Sequence, residues 1–222
     1  VAPADIQLTS VRDRQALIVQ AVLPNGLTTD VTDQATLAVE NETFVRRDGT
    51  MFYPVADGST KVTVTYGGHS VDVPVTILNC LVDPPISFRQ DVMPVWMKTS
   101  CNNGSCHGAA RGKDGFRLSL FGFDPEGDQY RLTHEMPGRR INLAIPEESL
   151  LMTKCDGTVP HTGGKRFDQG SEHYNTVLRW LKAGAPNDPG PVPAVVAVEL
   201  FPKSAVLDGD GSTQRLTVRA QY

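Results

Sequence analysis

The stretch Cys101-Asn-Asn-Gly-Ser-Cys106-His107 constrains this chain more than any other. Two closely spaced cysteines followed at once by histidine form the pattern of covalent haem attachment. The usual spacing leaves two residues between the cysteines; here four stand there, Asn102 to Ser105. In this reading the thiols form thioethers with the haem vinyl groups. The adjacent histidine is then held under the iron as an axial ligand. A longer loop can bulge outward without displacing either thiol, and Gly104 is expected to take the positive φ of such a bulge. The adjacency of Cys106 and His107, which the chemistry requires, is intact. Spacing alone leaves two other readings open. Cys101, Cys106 and His107 can be three ligands of a zinc site, or the cysteines a disulfide beside a surface histidine.

Composition narrows the class. The chain has 222 residues, 40% hydrophobic and 21% charged, as expected for one or two globular domains. Its net charge is -4 and no basic cluster occurs, so no nucleic-acid partner and no anionic membrane surface is expected. Apolar runs fall well short of the roughly 18 residues that span a bilayer, so no transmembrane segment is expected. No signal peptide is visible, which reads as a processed or trimmed piece. Four cysteines are few for a disulfide scaffold.

Three segments separate by texture. Residues 1–80 read as all-β: Leu17–Leu23, Lys61–Tyr66 and Val71–Ile77 are rich in β-branched residues, and turn signals fall between them at Asn25-Gly26, Asp48-Gly49 and Gly67-Gly68. Pro74 is expected on an edge strand. Residues 81–187 change character. Ser87 followed by Gln90 is a capping box, Phe88, Val92 and Trp96 share a helical face, and Pro94 is expected to kink that helix before Cys101. A short helix is expected over 147–154. A clearer one starts at Ser171, with Tyr174, Val177, Leu178 and Leu181 on one face and Gly184 and Pro186 at its end. Asp124-Pro-Glu-Gly-Asp128 reads as an acidic loop, and Asp208-Gly-Asp-Gly211 as a turn. Residues 188–222 begin with a proline-rich linker. Gln214-Arg-Leu-Thr-Val-Arg-Ala220 then repeats the type of Gln15-Ala-Leu-Ile-Val-Gln-Ala21. Two strands do not make a core alone, so the chain is expected to continue beyond Tyr222.

A family resemblance rests on motifs in order. They are Ser87-Phe-Arg-Gln-Asp-Val-Met-Pro94, Cys101 to Gly108, Gly115-Phe-Arg-Leu-Ser-Leu120, Gly138-Arg-Arg-Ile-Asn142, Pro146-Glu-Glu-Ser-Leu-Leu151, Val159-Pro-His-Thr-Gly-Gly164 and Arg179-Trp-Leu-Lys-Ala-Gly-Ala185. This stretch resembles the planctomycete-type cytochrome c domain with an extended attachment motif. The flanking segments resemble bacterial Ig-like domains of group 2. The resemblance implies a multidomain fold: an all-β Ig-like sandwich, then a mainly α cytochrome c domain, then the truncated start of a second Ig-like domain. It also implies one covalently attached haem c, one-electron transfer, an extracytoplasmic location (periplasm or cell surface) and redox partner proteins there.

The resemblance carries His107 over as the proximal ligand. Where many small cytochromes place a Met-Pro pair, this chain has Val159-Pro160-His161, so His161 is expected as sixth ligand, giving bis-histidine iron. The alternatives are Cys155, Met152 and Met136, the last in a Met-Pro pair; His134 is an outside candidate. His69 and His173 are expected at the surface. Arg139 and Arg140 are candidates to pair with haem propionates. Cys155 departs from the family pattern, and in an oxidising compartment a Cys80–Cys155 disulfide is expected as its competing role. No acid, base or nucleophile constellation points to an enzyme. Two other functions remain: a haem module reactive with gases or peroxide, and a zinc-stabilised interaction module.

Overall fold

The computed structural model describes residues 1–136 and 138–222. Val1–Pro84 and Ala194–Tyr222 form one compact unit and Pro85–Pro193 another.

The first unit is built from short strands: β1 (Ile6–Leu8), β2 (Gln15–Ala16), β3 (Gln20–Val22), β4 (Thr28–Asp30), β5 (Thr36–Val39), β6 (Val45–Asp48), β7 (Met51–Pro54), β8 (Gly58–Tyr66), β9 (His69–Ile77), β10 (Ala197–Phe201) and β11 (Thr217–Gln221). They pair as β1-β9-β8-β5, β2-β7-β6, β3-β4 and β10-β11. The longest pairing, β8 with β9, follows from alternation. Val62, Val64, Val73, Val75 and Ile77 are buried while Thr65, Asp72 and Thr76 face out. Gly67 and Gly68, both at positive φ, close the turn that sets its register. Pro74 lies on an inner strand, not an edge strand. It escapes conflict because β1 pairs only with Val75, Thr76 and Ile77. The expected strand over 17–23 is interrupted: β2 and β3 belong to different sheets.

In the second unit a π-helical turn (Phe88–Val92) leads into α1 (Met93–Lys98), with Pro94 in the first turn of α1. The backbone stays helical from Phe88 through Lys98, and the π-helical pairing just before Pro94 is where the run accommodates the proline's missing N–H. Ser87 caps as expected, its hydroxyl accepting from Gln90 N at 3.0 Å; the reciprocal acceptor is Asp91, from Ser87 N at 2.8 Å. α2 spans Pro125–Thr133, α3 Leu150–Cys155 and α4 Glu172–Lys182. The acidic loop expected at 124–128 is in fact the start of α2: Asp124 caps it and Pro125 opens it. Asp128 is fully buried there and takes Ser119 N and Oγ at 2.6 Å each and Arg131 at 2.9 Å. The expected helix over 147–154 divides into a 3-10 turn (Pro146–Glu148) and α3. Phe88 and Trp180 meet at 5.3 Å between ring centroids in the core.

The expected fold class needs correction. The chain is 19% helix and 25% strand, its strands divided among several small sheets. The α-helices described are four, of 6 to 11 residues, so Pro85–Pro193 is held largely by loops and turns and is not mainly α. In this chain the last strands cluster with the first unit. Thr28 N donates to Val206 O at 2.7 Å, Arg219 pairs with Asp5 at 3.0 Å, and Arg215 pairs with Asp33, all inside the first unit. Sequence repetition identified these strands correctly as strands. It carried no information on which residues they would pack against.

Candidate haem site

The attachment loop is closed by its own backbone. His107 N donates to Cys101 O at 3.0 Å, so the two ends of the motif meet despite the four residues between them. Gly108 N donates to Asn103 O at 3.0 Å and Cys106 N to the same oxygen at 3.1 Å. A Cβ on Gly108 would stand 2.0 Å from Asn102 O, so only glycine fits after His107. Gly104 is not at positive φ; Ser100, just before Cys101, takes that conformation at 61°.

His107 is aimed by a tight hairpin. Asp114 and Gly115 both have positive φ, and Lys113 pairs with Phe116 across them. The turn presents Phe116 O to His107 Nδ1 at 3.0 Å and sets the Phe116 ring 4.6 Å from the imidazole. Burial lowers the pKa of His107, the nearby His161 adds to this, and the Phe116 carbonyl only partly opposes it. The ring is kept neutral, the form that binds a metal.

His161 faces it. The two imidazoles are 6.2 Å apart between centroids with planes 7° from parallel. His161 Nδ1 lies 2.9 Å from Gly164 O, matching the Phe116 contact of His107. With each Nδ1–H given to a carbonyl, both Nε2 atoms are left as acceptors. Two imidazoles bound through nitrogen to one ion, at about 2.0–2.1 Å each, have centroids roughly 6 Å apart.

Both histidines line a cavity of about 260 Å³ walled by Phe116, Leu118, Leu132 and Leu151. Cys101 and Cys155 line it too. Cys106 is half-buried beside it, its sulfur 3.7 Å from Arg166 Nη2. Arg166 also reaches Thr99 O at 3.2 Å. Trp96, which lines the cavity, has a buried indole N–H without a partner. Apolar walls, two acceptor imidazoles and an unanswered donor fit a haem better than a bare ion. Among the described residues no group of three or more His, Cys, Asp or Glu side chains is gathered for a metal ion.

The other predicted residues separate. Met152 is fully buried in the core and does not line the cavity, while Met136 lines it from an exposed position; Pro137 lies outside the described residues. Arg139 is exposed at the cavity. Arg140 is buried with its nitrogens on backbone oxygens: Nη1 on Arg131 O and Glu135 O, Nη2 on Gly115 O. It lies over the Phe116 ring at 4.6 Å and so braces the hairpin that aims His107. His134 stacks on Tyr130 instead of lining the cavity. The expected Cys80–Cys155 disulfide is not formed. Cys80 is buried in the first unit with its sulfur 3.8 Å from Val55 O, and Cys155 is buried in the second, lining the cavity with Cys101. Sequence reading missed Phe116, Trp96 and Arg166. The Asp114-Gly115 dipeptide, a strong hairpin signal, points to the first.

No protein-family model matches the chain, and no curated protein matches it. Among the described residues no helix is long and apolar enough to cross a membrane.

Proposed function

We propose that the Pro85–Pro193 unit is a monohaem c-type cytochrome module that transfers single electrons between partner proteins outside the cytoplasm. The observation that carries this reading is the facing pair His107 and His161, each Nδ1 tied to a backbone carbonyl, beside Cys101 and Cys106. The haem supplies reversible one-electron exchange between ferric and ferrous iron. Cys101 and Cys106 would hold it covalently. His107 and His161 would ligate its iron through Nε2. Phe116, Leu118, Leu132 and Leu151 keep water from the apolar faces. Arg139 and Lys113, at the same cavity, would offer cations to the propionates. Two nitrogen ligands place the potential below that of a histidine/methionine cytochrome.

The test is a pyridine haemochrome assay after acid-acetone extraction, on chain produced with haem-maturation machinery. A c-type haemochrome retained by the protein is expected. Iron-free protein that carries zinc would replace this reading with the zinc-stabilised interaction module.

A further inference from the structure

We propose that Cys101 and Cys155 form a redox dithiol inside the pocket, whose disulfide competes with haem attachment at Cys101. The competition rests on the haem reading above; the dithiol does not. Both residues are buried in one core cluster and both line the cavity, where each thiol is the strongest influence on the other's protonation. Thr99 Oγ1 lies 3.2 Å from the Cys101 sulfur on its other side. The thiol expected to pair with Cys101 by sequence proximity, Cys106, is turned toward Arg166 at 3.7 Å and does not line the cavity. So the attachment cysteine inside the pocket has a third thiol as its neighbour, carried by the last residue of α3.

The pair is asymmetric. The Cys155 thiol outweighs burial and lowers Cys101 to about 7, with the Arg166 charge assisting. Cys101 and burial push Cys155 up. Cys101 is thus the attacking thiolate and Cys155 keeps the proton.

The co-reactant is a small disulfide that enters through the mouth of the cavity. The Cys101 thiolate attacks one of its sulfurs, forming a mixed disulfide and expelling one thiolate. Cys155 then attacks the Cys101 sulfur. An S–S bond of about 2.05 Å forms, the second small thiol leaves, and the Cys155 proton goes to it. Two thiols lose two electrons and two protons, and one small disulfide becomes two thiols. While that bond exists, Cys101 has no thiol to add to a vinyl group. Attachment therefore requires the reduced pair.

The experiment uses the full chain made without haem-maturation machinery. It is equilibrated with oxidised or reduced glutathione, alkylated, digested without reductant and mapped by mass spectrometry. A Cys101–Cys155 linked peptide is expected in the oxidised sample, with Cys106 alkylated. Each sample is then offered haem under conditions that support thioether formation. Covalent haem per chain is expected to be at least tenfold lower in the oxidised sample and to recover on reduction. Cys155→Ser is expected to erase the difference between samples; Cys155→Ala serves if the serine chain is not folded by circular dichroism. A Cys101–Cys106 link, or a freely alkylated Cys101 after oxidation, overturns the dithiol. A Cys101–Cys155 link with equal haem uptake in both samples overturns the competition. A link with no haem uptake in either sample supports the dithiol and rejects the haem reading.

Discussion

Gly108 shows how closely the attachment loop is fitted. The side chain it lacks would fall 2.0 Å from Asn102 O and 2.8 Å from Asn103 O, both backbone atoms that cannot swing aside. Those carbonyls belong to the loop that closes Cys101 onto His107. Gly108→Ala is therefore expected to strain the loop by about 1–3 kcal/mol. Covalent haem per purified chain is expected to fall while far-ultraviolet circular dichroism stays near wild type; unchanged loading would show that the loop tolerates rearrangement. At this scale the motif itself was plain in the sequence, because adjacency of cysteine and histidine is a local fact. The facing of His107 and His161 was not. It depends on the 53 intervening residues folding back, and only the Val159-Pro160-His161 wording hinted at it. The contact between Cys101 and Cys155 was likewise hidden, since burial in different parts of the chain leaves no periodic trace.

Among the elements, the Lys113–Phe116 hairpin does the most for the site. Its two residues at positive φ turn the chain so that Phe116 O reaches His107 Nδ1, and Arg140 holds Gly115 O from behind. Gly115 sits at φ 77°, a conformation that costs a branched side chain about 1–2 kcal/mol. Gly115→Val is expected to lower the stability of the haem-free chain by that amount in urea unfolding. It should also broaden the low-spin electron paramagnetic resonance signal of the loaded protein as His107 loses its fixed orientation. A sharp wild-type signal in the variant would separate the hairpin from ligand orientation. Helices with period and cap in register, such as α4 behind Ser171, were legible in the sequence. α2 was not, because proline and glycine at 125 and 127 look like breakers. Proline is tolerated in the first helical turn, and Gly127 is required by the capping carboxylate, which a Cβ would meet at 2.0 Å.

Over the whole molecule, the segment 194–222 joins the rest of the first unit through two ion pairs as well as neutral hydrogen bonds at Gln20 and Thr28. Arg215 hydrogen-bonds Asp33 and holds its carboxyl below the usual range. At Asp5 burial pushes the pKa up, but hydrogen bonds from Arg219 and Gln7 and the Arg219 charge outweigh it and leave it lowered. Both carboxyls bind protons more readily in the unfolded chain, whose ordinary value is about 3.9. Their contribution is present above that pH and is lost as pH falls through the lowered folded values. Limited proteolysis within residues 202–216 is expected to accelerate below about pH 4. Arg215→Ala should show faster cleavage already at neutral pH. Cleavage independent of both would mean that apolar contacts hold the segment. This attachment was not legible in the sequence: the repeat of residues 15–21 at 214–220 reads equally well as a new domain, and only three-dimensional pairing distinguishes the two.

The central claim is that one covalently bound haem sits between His107 and His161 with their ring planes nearly parallel. Low-temperature electron paramagnetic resonance of the oxidised, haem-loaded chain tests it most directly. Near-parallel imidazoles split the iron π orbitals unequally, so a rhombic low-spin signal is expected, without the long-wavelength absorption band of methionine sulfur. A high-spin signal, a thiolate-type spectrum or that sulfur band would contradict the account.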